Sequence, residues 1–188
     1  MVYYRFNSPN DLMFKSNGDL YFTDPPFGLP KGFDDPEKAP VQGVYRLSKE
    51  GTVTRLIADI KAPNGIAFSP DETILYVSDD DPDRPAWLAY DVNADGTVGN
   101  GRVLSDATRQ REYPFSAPDG FKVDRTGNIF GSRSGGVSVI APDGTLLGTI
   151  ETGKATSNVA WGEDGHSLFI TASEAVYRIR LLTTGIGY

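Results

Sequence analysis

The sequence predicts an all-β fold, and within that class a β-propeller, on three observations. A unit of two β-hairpins recurs along the 188 residues, its starts falling near residues 8, 62, 117 and 156. Asp-Gly and Glu-Gly pairs punctuate short β-rich runs, which is the signature of tight hairpin turns. No stretch sustains the 3.6-residue apolar spacing of an amphipathic helix. The Asn or Asp that heads each unit (Asn10, Asn64, Asp119, Asn158) recurs after 54, 55 and 39 residues, a spacing suited to propeller blades. A β-sandwich needs no such residue at the head of every unit. About four blades are therefore expected, in one domain spanning 1–188.

Taken in order, the first unit runs from Ser8-Pro9-Asn10-Asp11 through a turn at Ser16-Asn17-Gly18 to Leu20-Tyr21-Phe22-Thr23-Asp24. Its second hairpin joins Val44–Leu47 to Val53–Ile57 across Lys49-Glu50-Gly51. The second unit runs from Pro63-Asn64-Gly65 across Ser69-Pro70-Asp71-Glu72 to Leu75–Asp79, then from Trp87–Asp91 into Asn93-Ala94-Asp95-Gly96. The third starts at Pro118-Asp119-Gly120, turns at Arg125–Asn128, and continues from Val137–Ile140 over Pro142-Asp143-Gly144 to Leu146–Ile150. The fourth runs from Ser157-Asn158 over Glu163–His166 to Leu168–Thr171 and ends on Val176–Arg180. That last strand lacks an outer partner, and Val2–Arg5 lacks a hairpin partner; their pairing would close a ring.

Composition excludes several classes. The formal net charge is −7 and the eighteen Lys and Arg are scattered, so no basic patch is available to bind a phosphate backbone. With no cysteine, disulfides, thiolate nucleophiles and thiolate-bound zinc are ruled out. No apolar run reaches membrane-spanning length and no leader is read before the first strand, so a cytoplasmic protein is expected. No nucleic-acid or membrane partner is expected, and pairing of open arcs between two copies stands as one route to a homo-oligomer.

In a propeller the leading loop of each inner strand opens on the central channel, so residues of equal rank converge on the axis. Asn10, Asn64, Asp119 and Asn158 then bring three amides and one carboxylate together. These are hard oxygen donors, suited to Ca²⁺ first, with Mg²⁺, Mn²⁺ or Zn²⁺ as alternatives. The competing reading is local: each Asn or Asp bonds only its own backbone, as such residues do in turns. Asp119, the one carboxylate of the set, is the candidate general base. His166 is the single histidine and falls in a turn, where an exposed structural role is expected, so a Ser-His-Asp triad is not. Gly148 to Gly153-Lys154 approaches a phosphate loop, but Ala155 stands where Ser or Thr is needed. Asp79, Asp81 and Asp83 mimic the start of an EF-hand, yet Arg84 and Tyr90 occupy its Gly and Glu positions, so a solvated acidic rim is expected. Phe27 and Phe33 in the long loop from Pro25 to Pro40, and Tyr113 and Phe115 before Asp119, read either as a substrate cover or as surface packing.

The blocks Asn7-Ser8-Pro9-Asn10-Asp11, Tyr21–Pro26, Pro63–Asp71 and Pro118-Asp119-Gly120 together resemble those of the gluconolactonase/regucalcin (senescence marker protein) family, in family order. The resemblance implies a six-bladed propeller with one divalent cation in its channel and hydrolysis of a lactone, a sugar lactone such as gluconolactone above all. It implies Asn10, Asn64 and Asp119 as ligands, with Asp119 also as base. The family's remaining ligand is a Glu upstream of the first block, so roughly the N-terminal third of a member is expected to be lacking. Asn158 or water is then the stand-in for that Glu. A non-catalytic propeller that binds metal or sugar is the alternative function.

Overall fold

The computed structural model describes residues 5–39, 42–108 and 117–187. The first sheet is an antiparallel meander of β1 (Leu12–Phe14), β2 (Leu20–Asp24), β3 (Gly43–Leu47) and β4 (Val53–Ile57). The second repeats it with β5 (Pro63–Phe68), β6 (Ile74–Asp79), β7 (Ala86–Val92) and β8 (Val98–Asp106). The third set orders β9 (Phe121–Val123), β10 (Ile129–Ile140), β11 (Leu146–Gly162), β12 (Ser167–Ala172) and β13 (Ala175–Arg180). The long loop after β2 holds a 3-10 turn, Gly32–Asp34. No helix among the described residues is long and apolar enough to cross a membrane.

The turns form where the sequence places them. Gly18, Gly51, Gly96, Gly144 and Gly165 each take positive φ, at 92°, 89°, 79°, 89° and 82°, which costs a residue without a Cβ little. The third set departs from the simple repeat because two strands each serve twice. The first part of β11, Leu146 to Ala155, pairs with β10, and its second part, Thr156 to Gly162, pairs with β12. It thus runs unbroken from the edge of one meander to the head of the next. β10 likewise pairs with β9 at Ile129–Gly131 and with β11 from Ser134 on, with a register shift at the Gly135-Gly136 pair. The proposed closing strand 2–5 lies mostly outside the described residues.

The inner strands β1, β5, β9 and the second part of β11 lie side by side, so the sheets radiate from a common line. Between the first two sheets Tyr21, Val44, Ile66, Leu75 and Val77 are fully buried, and the Tyr21 hydroxyl crosses to donate to Gly96 O at 2.9 Å. Between the second and third, Trp87 packs with Phe121, Ile129 and Ile140. The indole lies so close to Gly131 that a Cβ there would fall 2.8 Å from it. β5, with neighbours on both sides, is buried at every position, whereas Leu12 and Phe14 of β1 are exposed. The inner strands therefore point their leading loops to one end of the common line, and the hub forms there.

Candidate functional site

Each inner strand carries an Asn or Asp at its head, Asn10 and Asp119 in the loops before β1 and β9, Asn64 and Asn158 inside β5 and β11. The Asn10 Nδ2 donates to Asn64 Oδ1 at 2.5 Å, joining the first sheet to the second. The Asn64 side chain in turn lies beside the Asp119 carboxylate and favours its charged form, bringing the second sheet to the third. With its Oδ1 occupied by Asn10, Asn64 is left to donate through Nδ2. Asn158 completes the row: its amide lies directly on Gly120, where a Cβ would stand 2.3–2.5 Å from Cγ, Oδ1 and Nδ2. Four residues spread over 149 positions of sequence thus stand in a row across the inner strands, Asn158 reaching the row through Gly120. The local role is present too, since Asn158 Oδ1 also accepts the Val159 N–H at 2.8 Å.

The hub's electrostatics are set by half-buried carboxylates. Burial pushes Asp119 up to about 6, against hydrogen bonds from the Gly120 N–H and Asn64 that favour its charged form, and the charge of Asp11 adds to the rise. Burial likewise pushes Asp80 up to about 7, helped by the charges of Asp119, Asp79 and Asp81. Asp11 itself ties two sheets, its Oδ2 accepting the Ile66 N–H at 3.3 Å. A group of amide oxygens and repelling carboxylates, without His or Cys, fits a hard divalent cation and not a soft one. Among the described residues no cluster of three or more His, Cys, Asp or Glu side chains is gathered in metal-binding geometry, so amides must supply most of any such shell.

A second layer holds the string in place, and sequence reasoning missed it. The second strand of each sheet carries a hydroxyl beside its end: Thr23, Ser78, Ser132 and Thr171. Thr23 Oγ1 donates to Asn64 O at 2.7 Å and Ser78 Oγ to Asp119 O at 2.8 Å. Ser132 Oγ lies 2.9 Å from Ser157 O, beside Asn158, and 2.6 Å from Gly120 O. The same hydroxyls accept from their own sheet, Thr23 from the Asp11 N–H at 3.1 Å and Ser78 from the Gly65 N–H at 2.6 Å. So Thr23 and Ser78 each fix the backbone of the next hub residue, Ser132 holds the residue before Asn158, and Thr171 holds Asn158 of its own unit. Ser78 is fully buried. Ser78→Ala is expected to cost about 1–3 kcal/mol, because it strands a buried N–H. Ser78→Thr, keeping the hydroxyl, should retain most of that; urea unfolding of the two variants is the check. The adjacent acids turn the other way, Asp24 accepting the Asn7 and Ser8 N–H groups and Asp79 the Ala62 N–H. The repeated Thr-Asp and Ser-Asp pairs were the available signal.

The remaining candidates lie elsewhere. Lys61 Nζ bridges Asp81 and Asp83 at 2.8 Å each, an exposed ion-pair cluster and not a calcium loop. Asp80, in the same acidic run, differs by facing the hub's electrostatic field. His166 is partly buried, not an exposed turn residue: its Nδ1 lies 2.9 Å from Thr183 O and 3.2 Å from Leu181 O, pinning the C-terminal segment. The segment from Gly148 to Ala155 is strand, with no helix to form a phosphate loop. Phe27 and Phe33 pack edge-to-face at 6.1 Å on the long loop, each about 40% exposed. Tyr113 and Phe115 lie outside the described residues.

Comparison with known proteins places this arrangement. Residues 3–174 match the family model described as the SMP-30/gluconolactonase/LRE-like region. A gluconolactonase of Zymomonas mobilis is 42% identical over 187 residues, covering 96% of this chain and 52% of the relative. A solved gluconolactonase structure from Xanthomonas campestris superposes with a TM-score of 0.80 at 38% identity, over 94% of this chain and 58% of that one. The calcium-binding protein regucalcin from Agrobacterium tumefaciens superposes with a TM-score of 0.74 at 26% identity, over 96% and 62%. The radiating sheets are therefore those of a β-propeller. The chain spans about half the length of the curated relatives it matches.

Proposed function

The chain belongs to the SMP-30/gluconolactonase/LRE-like family, and from that premise we propose that it carries the hub of a metal-dependent hydrolase that opens the ester ring of a lactone. A sugar lactone such as gluconolactone is the preferred substrate. The observation that carries the reading is the string Asn10–Asn64–Asp119–Asn158, which gathers one carboxylate and three amides at the open end of the inner strands. These four would hold the cation, Ca²⁺ first by donor chemistry. When bound, such an ion polarises an ester carbonyl and acidifies water.

The chain's own residues then do the following. Asp119 takes a proton from water as the water oxygen attacks the carbonyl carbon. The ring C–O bond breaks as the tetrahedral centre collapses, and the proton returns to the departing oxygen, giving the open hydroxy acid. Asn64 holds the Asp119 carboxylate in place through its amide, much as an outer-layer hydrogen bond orients a ligand. Ser78 fixes the Asp119 backbone from behind.

The test is the initial rate of proton release from gluconolactone and other lactones, with added Ca²⁺ or Zn²⁺ and with chelator. The expected outcome is a rate that depends on metal and collapses on chelation. Calorimetric metal binding with no turnover by folded protein would move the assignment to a non-catalytic metal- or sugar-binding propeller.

A further inference from the structure

Resting on the lactonase reading above, we propose that Asp80 selects hydroxylated lactones, its carboxylate accepting the substrate's ring hydroxyls while Asp119 serves the reacting ester. Asp80 directly follows β6 and continues its pairing, its N–H donating to Ala62 O at 2.9 Å. Side chains alternate along an extended strand. Ser78, two residues back, donates to Asp119 O at 2.8 Å, so Asp80 leaves the strand on that same side, toward the Asp119 end of the hub. Asp79, between them, faces its own loop and accepts the Ala62 N–H at 2.8 Å. Asp81 and Asp83 are engaged by Lys61. Among the described residues no donor reaches the Asp80 carboxylate, though it is half-buried and lies within electrostatic reach of Asp119.

Among the described residues this half-buried carboxylate therefore stands as an acceptor still to be matched. Its complement must bring O–H or N–H groups and must add no negative charge beside Asp119. The ester oxygens of a lactone accept only, so the hydrogens it can offer Asp80 are those of its hydroxyls. The two carboxylate oxygens suit a neighbouring pair of hydroxyls, in charge-assisted bonds. A site built this way rejects an analogue that lacks the hydroxyls, because its polar group is then left unpaired.

The experiment compares kcat/KM for gluconolactone with that for δ-valerolactone, which carries no ring hydroxyl, in native protein and Asp80→Ala. The ratio of the two is expected to fall at least about tenfold in the variant; an unchanged ratio overturns the proposal. Asp80→Asn, which keeps the shape and one acceptor oxygen, should fall between, and thermal melting confirms that each variant is folded. Calorimetric titration with Ca²⁺ separates the other use of a carboxylate here. Affinity within about threefold of native is expected, and a tenfold loss would make Asp80 a cation ligand and overturn the proposal. If native protein hydrolyses no lactone, the lactonase reading fails by itself, and binding of the neutral cyclic polyol 1,5-anhydroglucitol still decides Asp80. Binding that Asp80→Ala weakens tenfold supports the assignment; equal binding, or none by native protein, overturns it.

Discussion

Replacing Asp119 with Asn is expected to lower lactone turnover by about 10²–10⁴-fold, the range that a positioned general base contributes. The substitution keeps the side chain's shape and removes its charge. It takes away the proton acceptor and also the one carboxylate of the Asn10–Asn64–Asp119–Asn158 string, so metal affinity should fall with the rate. The Asn64 amide can keep a partner there, since the new side chain retains one acceptor oxygen but offers it no charge. The fold should persist, because the backbone at this position is held independently: its N–H donates to Ser132 O at 3.1 Å and its carbonyl accepts from Ser78. Initial rates with saturating Ca²⁺, beside thermal melts without metal, provide the check. A rate within a few-fold of native would remove Asp119 from the chemistry.

Trp87→Ala is expected to destabilise the protein by about 3–5 kcal/mol, the cost of deleting a large buried aromatic. The indole is fully buried between the second and third sheets, against Phe121, Ile129 and Ile140, and flat on Gly131. Its Nε1 has no hydrogen-bond partner among the described residues, which draws the value toward the lower end of the range. The void would open between two sheets whose inner strands both reach the hub, so loosening there should also weaken metal binding. Urea unfolding measures the loss directly. A loss below about 1 kcal/mol would mean that the sheets close over the gap.

The hub string was legible in sequence because it follows from rank. The same residue type at the head of each repeat, in sheets arranged about one line, must meet its counterparts, and Asn10, Asn64, Asp119 and Asn158 do so. Turn glycines were legible because positive φ selects them. Asp80 was not, because the acids at 79, 80, 81 and 83 look alike until the end of β6 turns Asp79 and Asp80 to opposite sides. The bracing hydroxyls were hidden by being ordinary: Thr or Ser in a strand is common, and their one mark was the following Asp at Thr23-Asp24 and Ser78-Asp79. His166 was misjudged because its partners, the carbonyls of Leu181 and Thr183, come from a segment with no recognisable pattern. The double service of β11 was missed for a related reason, since Glu151–Ala155 reads as a break between units while the strand passes through it with one turn at Gly153, φ 69°.

The bracing hydroxyls have a consequence for how such a chain grows or shrinks. Thr23 reaches Asn64 O and Ser78 reaches Asp119 O over the same interval of 41 residues. The first two units thus each present a donor to their successor, and the second also offers an acceptor to its predecessor, a head-to-tail contact of the kind that propagates until geometry closes it. A unit duplicated within the gene arrives with both halves of its joint already in place, and a deleted one leaves matching halves behind. Ring size can then change by whole units without redesign of the hub, and the surviving constraint is the angle through which successive sheets turn.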